Sequence, residues 1–273
     1  MSMQIAYQVA AIAVRQRFAE QHPEDLEVLN NIRQDDVAAY SGTYDQVENL
    51  LSCLGVPVTI DPDAKTLSAR IVFVNCSSTY NEGLIERIGY HVENGKWLVT
   101  SDWALHYVVE RVFPNMVRWN QQRTGDEIIS VEPSQDSLWS DIVVLGATPQ
   151  WWLWGSYPIE VLNTEKVRVE AASHDLLVNY KAPVVAFRFD WGQGHVFHAI
   201  SHFWAKRSET PTMRHQGPCT DFLKAGMRLS DRSIEKVLQE AGIQADTLNF
   251  AQLQSAATAT ELVAQLCVRA VSL

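Results

Sequence analysis

Between residues 36 and 113, continuous apolar runs alternate with segments of helical spacing. The apolar runs, which predict strands, lie at 36–40, 56–60, 70–76 and 97–99. The helical segments lie at 44–54, 82–93 and 104–113, and Gly55 and Gly95 stand where the first two end. Because strands and helices alternate, the pattern predicts a parallel, right-handed, doubly wound α/β sheet with helices on both faces. Pro57 indicates that the second strand lies at an edge.

After residue 116 the pattern changes to short strand-like runs without long helices between them. These runs lie at 116–119, 128–131, 142–145, 159–162, 167–170 and 174–178. Longer runs at 183–189 and 194–202 predict two strands, joined by a tight hairpin at 190–193. The tryptophan-rich segment 151–157 is predicted to be an aromatic loop. This region therefore adds antiparallel structure to the sheet.

Both ends of the chain have helical spacing. Residues 1 to about 30 predict two helices separated at Pro23, and further helices are predicted near 221–227, over 230–242 and near 259–271. Ser230 is the expected N-cap of the second of these. We predict a helical N-terminal extension (1–34), an α/β domain (35–205) and a helical C-terminal extension (206–273).

The composition is ordinary for a soluble globular protein, with 47% hydrophobic and 20% charged residues. No apolar run is long enough to span a membrane, and the amino end does not have the pattern of a signal peptide. We therefore expect a cytoplasmic protein without a membrane partner. A net charge of −10, without a dense Lys/Arg cluster, argues against nucleic acid as a partner. The four cysteines form no Cys-x-x-Cys pair, which fits a reducing compartment.

Ser101 and Asp102 form an abrupt predicted turn. The apolar run Trp97-Leu98-Val99 ends just before them, and helical spacing resumes at Ala104. In open α/β proteins, ligands bind at the edge formed by the carboxyl ends of the strands. The sequence therefore predicts a crevice beside this turn.

Two segments resemble motifs of the class I glutamine-amidotransferase-like superfamily, and within it those of the trehalose-utilisation (ThuA-like) group. The first is Asn94-Gly95-Lys96-Trp97-Leu98-Val99-Thr100-Ser101-Asp102-Trp103-Ala104, and the second is Gly192-Gln193-Gly194-His195-Val196-Phe197-His198-Ala199-Ile200-Ser201-His202. The resemblance spans about residues 36–203 and implies a flavodoxin-like, doubly wound, mostly parallel sheet. It says nothing about the rest of the chain.

The resemblance also implies which chemistry is missing. Amidotransferases of the superfamily hold a cysteine nucleophile at the turn and a catalytic histidine, soon followed by a glutamate, after the late strand. This chain keeps His202, but it has Ser101 or Asp102 at the turn and no glutamate among the three residues after the histidine. Because glutamine hydrolysis requires the thiolate, we do not expect a glutamine amidotransferase.

The candidate catalytic residues are Asp102, His202, Ser101 and Cys76. Asp102 is either an N-cap of the following helix or a general base or metal ligand at the crevice. His202 is either its partner there or a hydrogen-bonded structural histidine. Ser101 could be a nucleophile activated by His202. Cys76, at the end of a neighbouring strand, is either core filling or a reactive thiol.

The candidate ligand-binding residues form two groups. Ser41, Gly42, Thr43 and Tyr44 close the first strand, where small hydroxyl residues suit a polar ligand or phosphate but suit capping equally well. Trp103, Trp151 and Trp154 are bulky aromatic residues near the crevice and in the aromatic segment. Tryptophans there could stack on a sugar ring or a partner protein, or cover the sheet or a dimer interface.

No cofactor is favoured, but a divalent metal is left open. Strand alternation puts His198 and His202 on one face and His195 on the other, so Asp102, His198 and His202 are the candidate ligands. His195 and Asp190 carry less weight as metal ligands.

We favour a ligand-binding or protein-interaction module without glutaminase chemistry, that is, a pseudoenzyme whose partner is a protein or a small polar ligand. Two enzyme alternatives stay open. One is a ThuA-like enzyme that acts on a sugar derivative through Asp102 and His202, with or without a metal. The other is a hydrolase that uses Ser101 or Cys76. A homo-oligomer is also left open.

Overall fold

The structure is a computed structural model that describes residues 3–135, 138 and 149–272. Its strands are β1 (Val37–Tyr40), β2 (Thr59–Ile60), β3 (Ile71–Val74), β4 (Trp97–Ser101), β5 (Val117–Trp119), β6 (Asp126–Ser130), β7 (Glu132–Pro133), β8 (Gln150–Trp154), β9 (Ile159–Val161), β10 (Arg168–Ala172), β11 (Val184–Trp191) and β12 (Gly194–Ala199). Its helices are α1 (Met3–Gln21), α2 (Pro23–Asn30), α3 (Val47–Leu54), α4 (Glu82–Glu93), α5 (Glu110–Val112), α6 (His174–Tyr180), α7 (Met213–Gln216), α8 (Cys219–Asp221), α9 (Asp231–Ala241), α10 (Ile243–Asp246) and α11 (Phe250–Ser272). Two π-helical turns lie at Leu105–Val109 and Phe222–Gly226.

The main sheet has the strand order β2–β1–β3–β4–β12–β11–β10–β7. The first five strands are parallel, whereas β11, β10 and β7 continue antiparallel. The parallel part therefore has the flavodoxin-like order, in which the topological switch point lies between β1 and β3. The predicted α/β fold class is confirmed, and β2 lies at the edge that Pro57 indicated.

Helices cover the parallel strands, which explains their continuous apolar sequences. All residues of β1, β3 and β4 are buried. Helix α4 packs against β4 and β12, while α11 packs against β3 and α3. The right-handed connections place these two groups of helices on opposite faces of the sheet.

The terminal helices pack against each other beside α3. Helix α1 contacts α3, α9 and α11, and a buried ion pair joins Arg17 to Glu261. Helix α11 begins at Phe250, well before the predicted residue 259. Among the described helices, none has the length and apolar character needed to cross a membrane. The predicted domain boundaries at residues 34 and 205 stay a prediction.

Three element predictions are corrected by the structure. The segment predicted as an aromatic loop forms β8, which pairs antiparallel with β6 as a separate sheet, since tryptophan suits a strand as well as a loop. The run at 174–178 is part of α6, because periodicity cannot separate strand from helix in so short a run. The helix predicted at 104–113 starts as a π-helical turn. The predicted run at 142–145 lies outside the described residues.

Candidate functional site

Asp102 lies in a sharp turn between β4 and the π-helical turn. Its backbone is left-handed, with φ of 49°, a conformation uncommon for residues other than glycine and often found at functional sites. Its N–H donates to the carbonyl of Ala199 over 2.9 Å. A strand–turn–helix of this kind raises the turn side chain above the sheet edge, as in the nucleophile elbow of hydrolases. Asp102, rather than Ser101, therefore occupies the elbow.

The Asp102 carboxylate is buried and accepts hydrogen bonds from the loop after β8. Oδ1 accepts the Tyr157 N–H and Oδ2 accepts the Ser156 hydroxyl, each over 3.1 Å. Its side chain thus bonds to the 155–157 loop and not to the amino end of the following helix. These donors fix the position of a carboxylate that burial would otherwise disfavour.

His202 lies beside Asp102 and is also buried. Its Nε2 is 3.2 Å from Asp102 Oδ2, which is ion-pair distance, although the N–H is not aligned for a hydrogen bond. Among the described residues, neither ring nitrogen has a hydrogen-bond partner. A buried imidazole in this state can accept or donate a bond to a further group in the cavity.

Burial and charge shift the pKa values of both groups. Burial raises the pKa of Asp102, although His202 and the bonds from Tyr157 and Ser156 oppose that shift. Burial lowers the pKa of His202, but the carboxylates of Asp102 and Asp45 outweigh it, so the pKa is raised overall. The two residues therefore form a buried pair whose proton affinities differ from those of free side chains.

Cys76 is the third buried group at this point. Its sulfur, an Asp102 carboxylate oxygen and a His202 nitrogen lie within 4.8 Å of one another. Burial, reinforced by the negative charge of Asp102, raises the pKa of the Cys76 thiol far above its usual range. Without a cation, the sulfur is therefore a neutral thiol and a poor nucleophile.

These three side chains open into a cavity of about 220 Å³, which we call the aromatic cavity. It is lined by Tyr44, Cys76, Asp102, Trp103, Trp154, Gly155 and His202. The Tyr44 ring is edge-on to Trp103 and Trp154, with centroids 5.2 and 6.1 Å away. Trp103 donates its indole N–H to the Gly155 carbonyl over 3.0 Å, which ties the elbow to the loop after β8.

Asp45 is a buried carboxylate that no motif in the sequence indicates. It accepts the Ser101 hydroxyl over 2.7 Å and the N–H groups of Phe203 and Trp204 over 3.0 Å each. Ser101 in turn accepts the Cys76 N–H over 3.1 Å. Ser101 therefore links Asp45 to the end of β3 and does not line the aromatic cavity.

Tyr7 of α1 holds the segment that follows His202. Its hydroxyl donates to the Phe203 carbonyl and accepts the Ala205 N–H, each over 2.7 Å. Its ring stacks on Trp204 with centroids 4.2 Å apart. No local pattern indicates this role, because the partners are almost 200 residues away in the chain.

The predicted ligand-binding residues separate into different places. Ser41, Gly42 and Thr43 line a second cavity of about 530 Å³ between the ends of β1 and β3, which we call the switch-point cavity. Tyr44, Trp103 and Trp154 line the aromatic cavity. Trp151 lines neither of these cavities, since it is buried with its ring edge-on to Phe203.

Among the described residues, His198 does not group with the other two candidate metal ligands, Asp102 and His202. This side chain is buried in the core, where its Nδ1 bonds to Thr100 over 2.8 Å and burial lowers its pKa to about 3. Strand β12 ends at Ala199, so strand alternation does not continue to His202. Cys76, rather than His198, lies beside Asp102 and His202. His195 lies apart, paired with Asp190 on the hairpin.

Known proteins offer only weak likenesses. No family model matches the chain, and no curated protein matches it. Among solved structures, it is similar to a β-galactosidase from Rahnella sp. R3 (TM-score 0.45, 15% identity, 62% of this chain and 29% of that one). It is also similar to a β-galactosidase from Bacillus circulans sp. alkalophilus (0.44, 14%, 81% and 34%) and to a ThuA-like protein from Bacteroides uniformis (0.43, 10%, 63% and 83%). This chain spans 29% and 34% of the two β-galactosidases. Likeness at this level supports no conclusion about function.

Proposed function

We propose that the aromatic cavity binds a small polar ligand and that the chain has no glutaminase activity. The observation that carries this proposal is the convergence of Asp102, His202 and Cys76 in a cavity that is otherwise lined mainly by aromatic rings. Binding sites typically combine an apolar cavity with a few convergent polar groups whose pKa values are perturbed.

The lining of the aromatic cavity favours a sugar or sugar derivative. Tyr44, Trp103 and Trp154 offer ring faces and edges for the C–H surface of a pyranose, while Asp102 and His202 can bond to its hydroxyls. Trp154 is 46% exposed, so part of its ring remains accessible at the cavity mouth. An exposed tryptophan also suits a partner protein, but Trp151 is buried and cannot extend such a surface.

A second candidate is an enzyme that acts on the same class of ligand. A buried carboxyl group and a histidine, both with raised pKa values, suit proton transfer to or from a bound sugar. The hydrolase alternative has less support. The Ser101 hydroxyl donates to Asp45, and the raised pKa of Cys76 keeps its thiol protonated.

The test is calorimetric binding of a panel of neutral mono- and disaccharides to the full chain. We expect one sugar to bind, and we expect Trp154→Ala and Asp102→Asn each to weaken its affinity at least tenfold. Tyr90→Ala is the matched control, because Tyr90 is an exposed aromatic residue on α4 outside this cavity, and it should stay within twofold of the wild type. The proposal is wrong if no sugar binds, or if both cavity variants bind as the wild type does.

Product analysis separates the two candidates. Incubation of the wild type with the bound sugar and its simple derivatives should leave them unchanged if the site only binds. Turnover that disappears in Asp102→Asn, while the variant stays folded, would support the enzyme.

A further inference from the structure

We propose that Cys76, Asp102 and His202 bind a divalent transition-metal ion, with zinc as the best fit, at the floor of the aromatic cavity. The three residues come from the ends of β3 and β4 and from the segment after β12. They are buried, and each offers one ligand atom towards the others.

The separations are close to those of a metal site. Zinc bonds of about 2.0–2.3 Å in a tetrahedron place the ligand atoms roughly 3.3–3.8 Å apart. His202 Nε2 and Asp102 Oδ2 are already 3.2 Å apart, and all three ligand atoms lie within 4.8 Å of one another. A contraction of roughly 1 Å at the sulfur is therefore enough to complete the geometry.

The donor set selects the type of ion. A thiolate, an imidazole and a carboxylate together suit zinc, whereas magnesium and calcium prefer oxygen ligands alone. On binding, the Cys76 thiol releases its proton to solvent and the thiolate sulfur donates to the metal. The charge of the ion then offsets the two anionic ligands in this buried place.

The surroundings already hold the ligands in position. Ser156 and Tyr157 bond to the Asp102 carboxylate, as supporting groups around metal ligands commonly do. His202 Nε2 lies 3.2 Å from Asp102 Oδ2 but has no hydrogen-bond partner among the described residues, so this nitrogen is open to an ion. With three protein ligands, a fourth position would face the cavity, where water or a ligand oxygen can bind.

The experiment uses the full chain after removal of bound metal with a chelator. Addition of Co²⁺ should give one ion per chain, a thiolate-to-cobalt band in the near ultraviolet and visible bands of a four-coordinate ion, and Zn²⁺ should displace it. Cys76→Ser should lose the near-ultraviolet band and bind Zn²⁺ at least tenfold more weakly. Cys53→Ser is the matched control, since Cys53 is a half-buried free cysteine on α3, and it should keep both properties.

Several results would overturn the site. They are the absence of the near-ultraviolet band in the wild type, an unchanged band in Cys76→Ser, or its loss in Cys53→Ser. The wild-type titration decides the question even if Cys76→Ser does not fold. His202→Gln gives a second check, because it should remove metal binding without touching the thiol.

Metal binding and sugar binding can fail separately. Sugar binding by metal-free protein would leave the proposed function intact if no ion bound. Stoichiometric cobalt binding without any sugar binding would support this site and contradict the proposed ligand class.

Discussion

The aromatic cavity and the switch-point cavity lie at the same edge of the sheet but differ in how their polar groups are satisfied. The switch-point cavity is the larger, at about 530 against 220 Å³, and it lies where topology places ligands in such folds. Its hydroxyl groups bond to neighbours, as Ser41 does to Asp61 and Thr43 to Ser78. The aromatic cavity instead holds buried His202, whose nitrogens have no hydrogen-bond partner among the described residues.

This difference shows that size and topology alone do not identify the site. A polar group that already has a hydrogen-bond partner gains little from a ligand, whereas a buried ring nitrogen without one gains a bond. The smaller cavity therefore has the stronger chemical reason to bind a ligand. The aromatic cavity also depends on distant parts of the chain. Tyr7 and Asp45 bond to Phe203, next to His202, and the 155–157 loop bonds to Asp102.

The largest expected effect comes from Gly42→Ala, in the loop between the two cavities. A Cβ atom on Gly42 would lie 2.3 Å from the Cys76 carbonyl oxygen and 2.6 Å from Asn75 Cβ. Since a backbone atom cannot move aside easily, the loop must shift, and we expect the free energy of unfolding to fall by about 3 kcal/mol. Urea unfolding measures this free energy.

Gly83→Ala is the control, because a Cβ atom on Gly83 would have its nearest contact at 3.3 Å. This variant should change the free energy of unfolding by less than about 1 kcal/mol. Equal free energies of unfolding for Gly42→Ala and the wild type would show that the loop has room for a side chain at residue 42.

Tyr7→Phe should have the next largest effect on stability. Of the two cavities, it should affect the aromatic cavity and not the switch-point cavity. The variant leaves the buried Phe203 carbonyl and Ala205 N–H without the tyrosine hydroxyl, a loss of about 1–3 kcal/mol in unfolding free energy. Because the His202 segment loosens, sugar affinity should also fall. Tyr90→Phe, at an exposed position, is the control for both measurements. A lower free energy of unfolding with unchanged sugar affinity would show that Tyr7 stabilises the fold but does not support the binding site.

The pair Asp102 and His202 should make stability depend on pH. The folded pKa of His202 is raised, so its contribution is complete below its unfolded pKa of about 6.5 and is lost as the pH rises through the folded pKa. The raised pKa of Asp102 has the same sign, because ionising this buried carboxyl costs stability as the pH rises.

Metal-free wild-type protein should therefore lose about 1 kcal/mol relative to metal-free His202→Gln as the pH rises from 6 to 8, which is roughly 2–4 °C in Tm for a chain of this size. Thermal unfolding followed by circular dichroism at several pH values measures the difference. Parallel curves for the two proteins would contradict this account of the pair.

The smallest effect is expected from Thr43→Ala in the switch-point cavity. Thr43 is exposed, and its hydroxyl bonds to the Ser78 hydroxyl over 3.1 Å and accepts the Ser78 N–H over 3.4 Å. Because both bonds are exposed to solvent, stability should change by less than about 0.5 kcal/mol. Sugar affinity should stay within twofold in the same calorimetric assay. A tenfold loss of sugar affinity would contradict binding in the aromatic cavity and place the ligand in the larger switch-point cavity.

Local patterns in the sequence determined the parallel strands, the edge position of β2, the turn at Asp102 and the late hairpin. These features follow from apolar periodicity and from glycines at helix ends and turns, which are patterns that extend over only a few residues. The same patterns placed Asp102, Cys76 and His202 at one edge of the sheet, because the ends of parallel strands meet there.

Only the tertiary structure decided which side chains complete the site. Cys76 rather than His198 lies beside Asp102 and His202, the tryptophan segment forms a strand, and Asp45 and Tyr7 bond to the segment after His202. Asp45 bonds to residues 56 to 159 positions away, and Tyr7 to residues 196 and 198 away. Contacts of that kind depend on how whole elements pack, and no short-range periodicity records them.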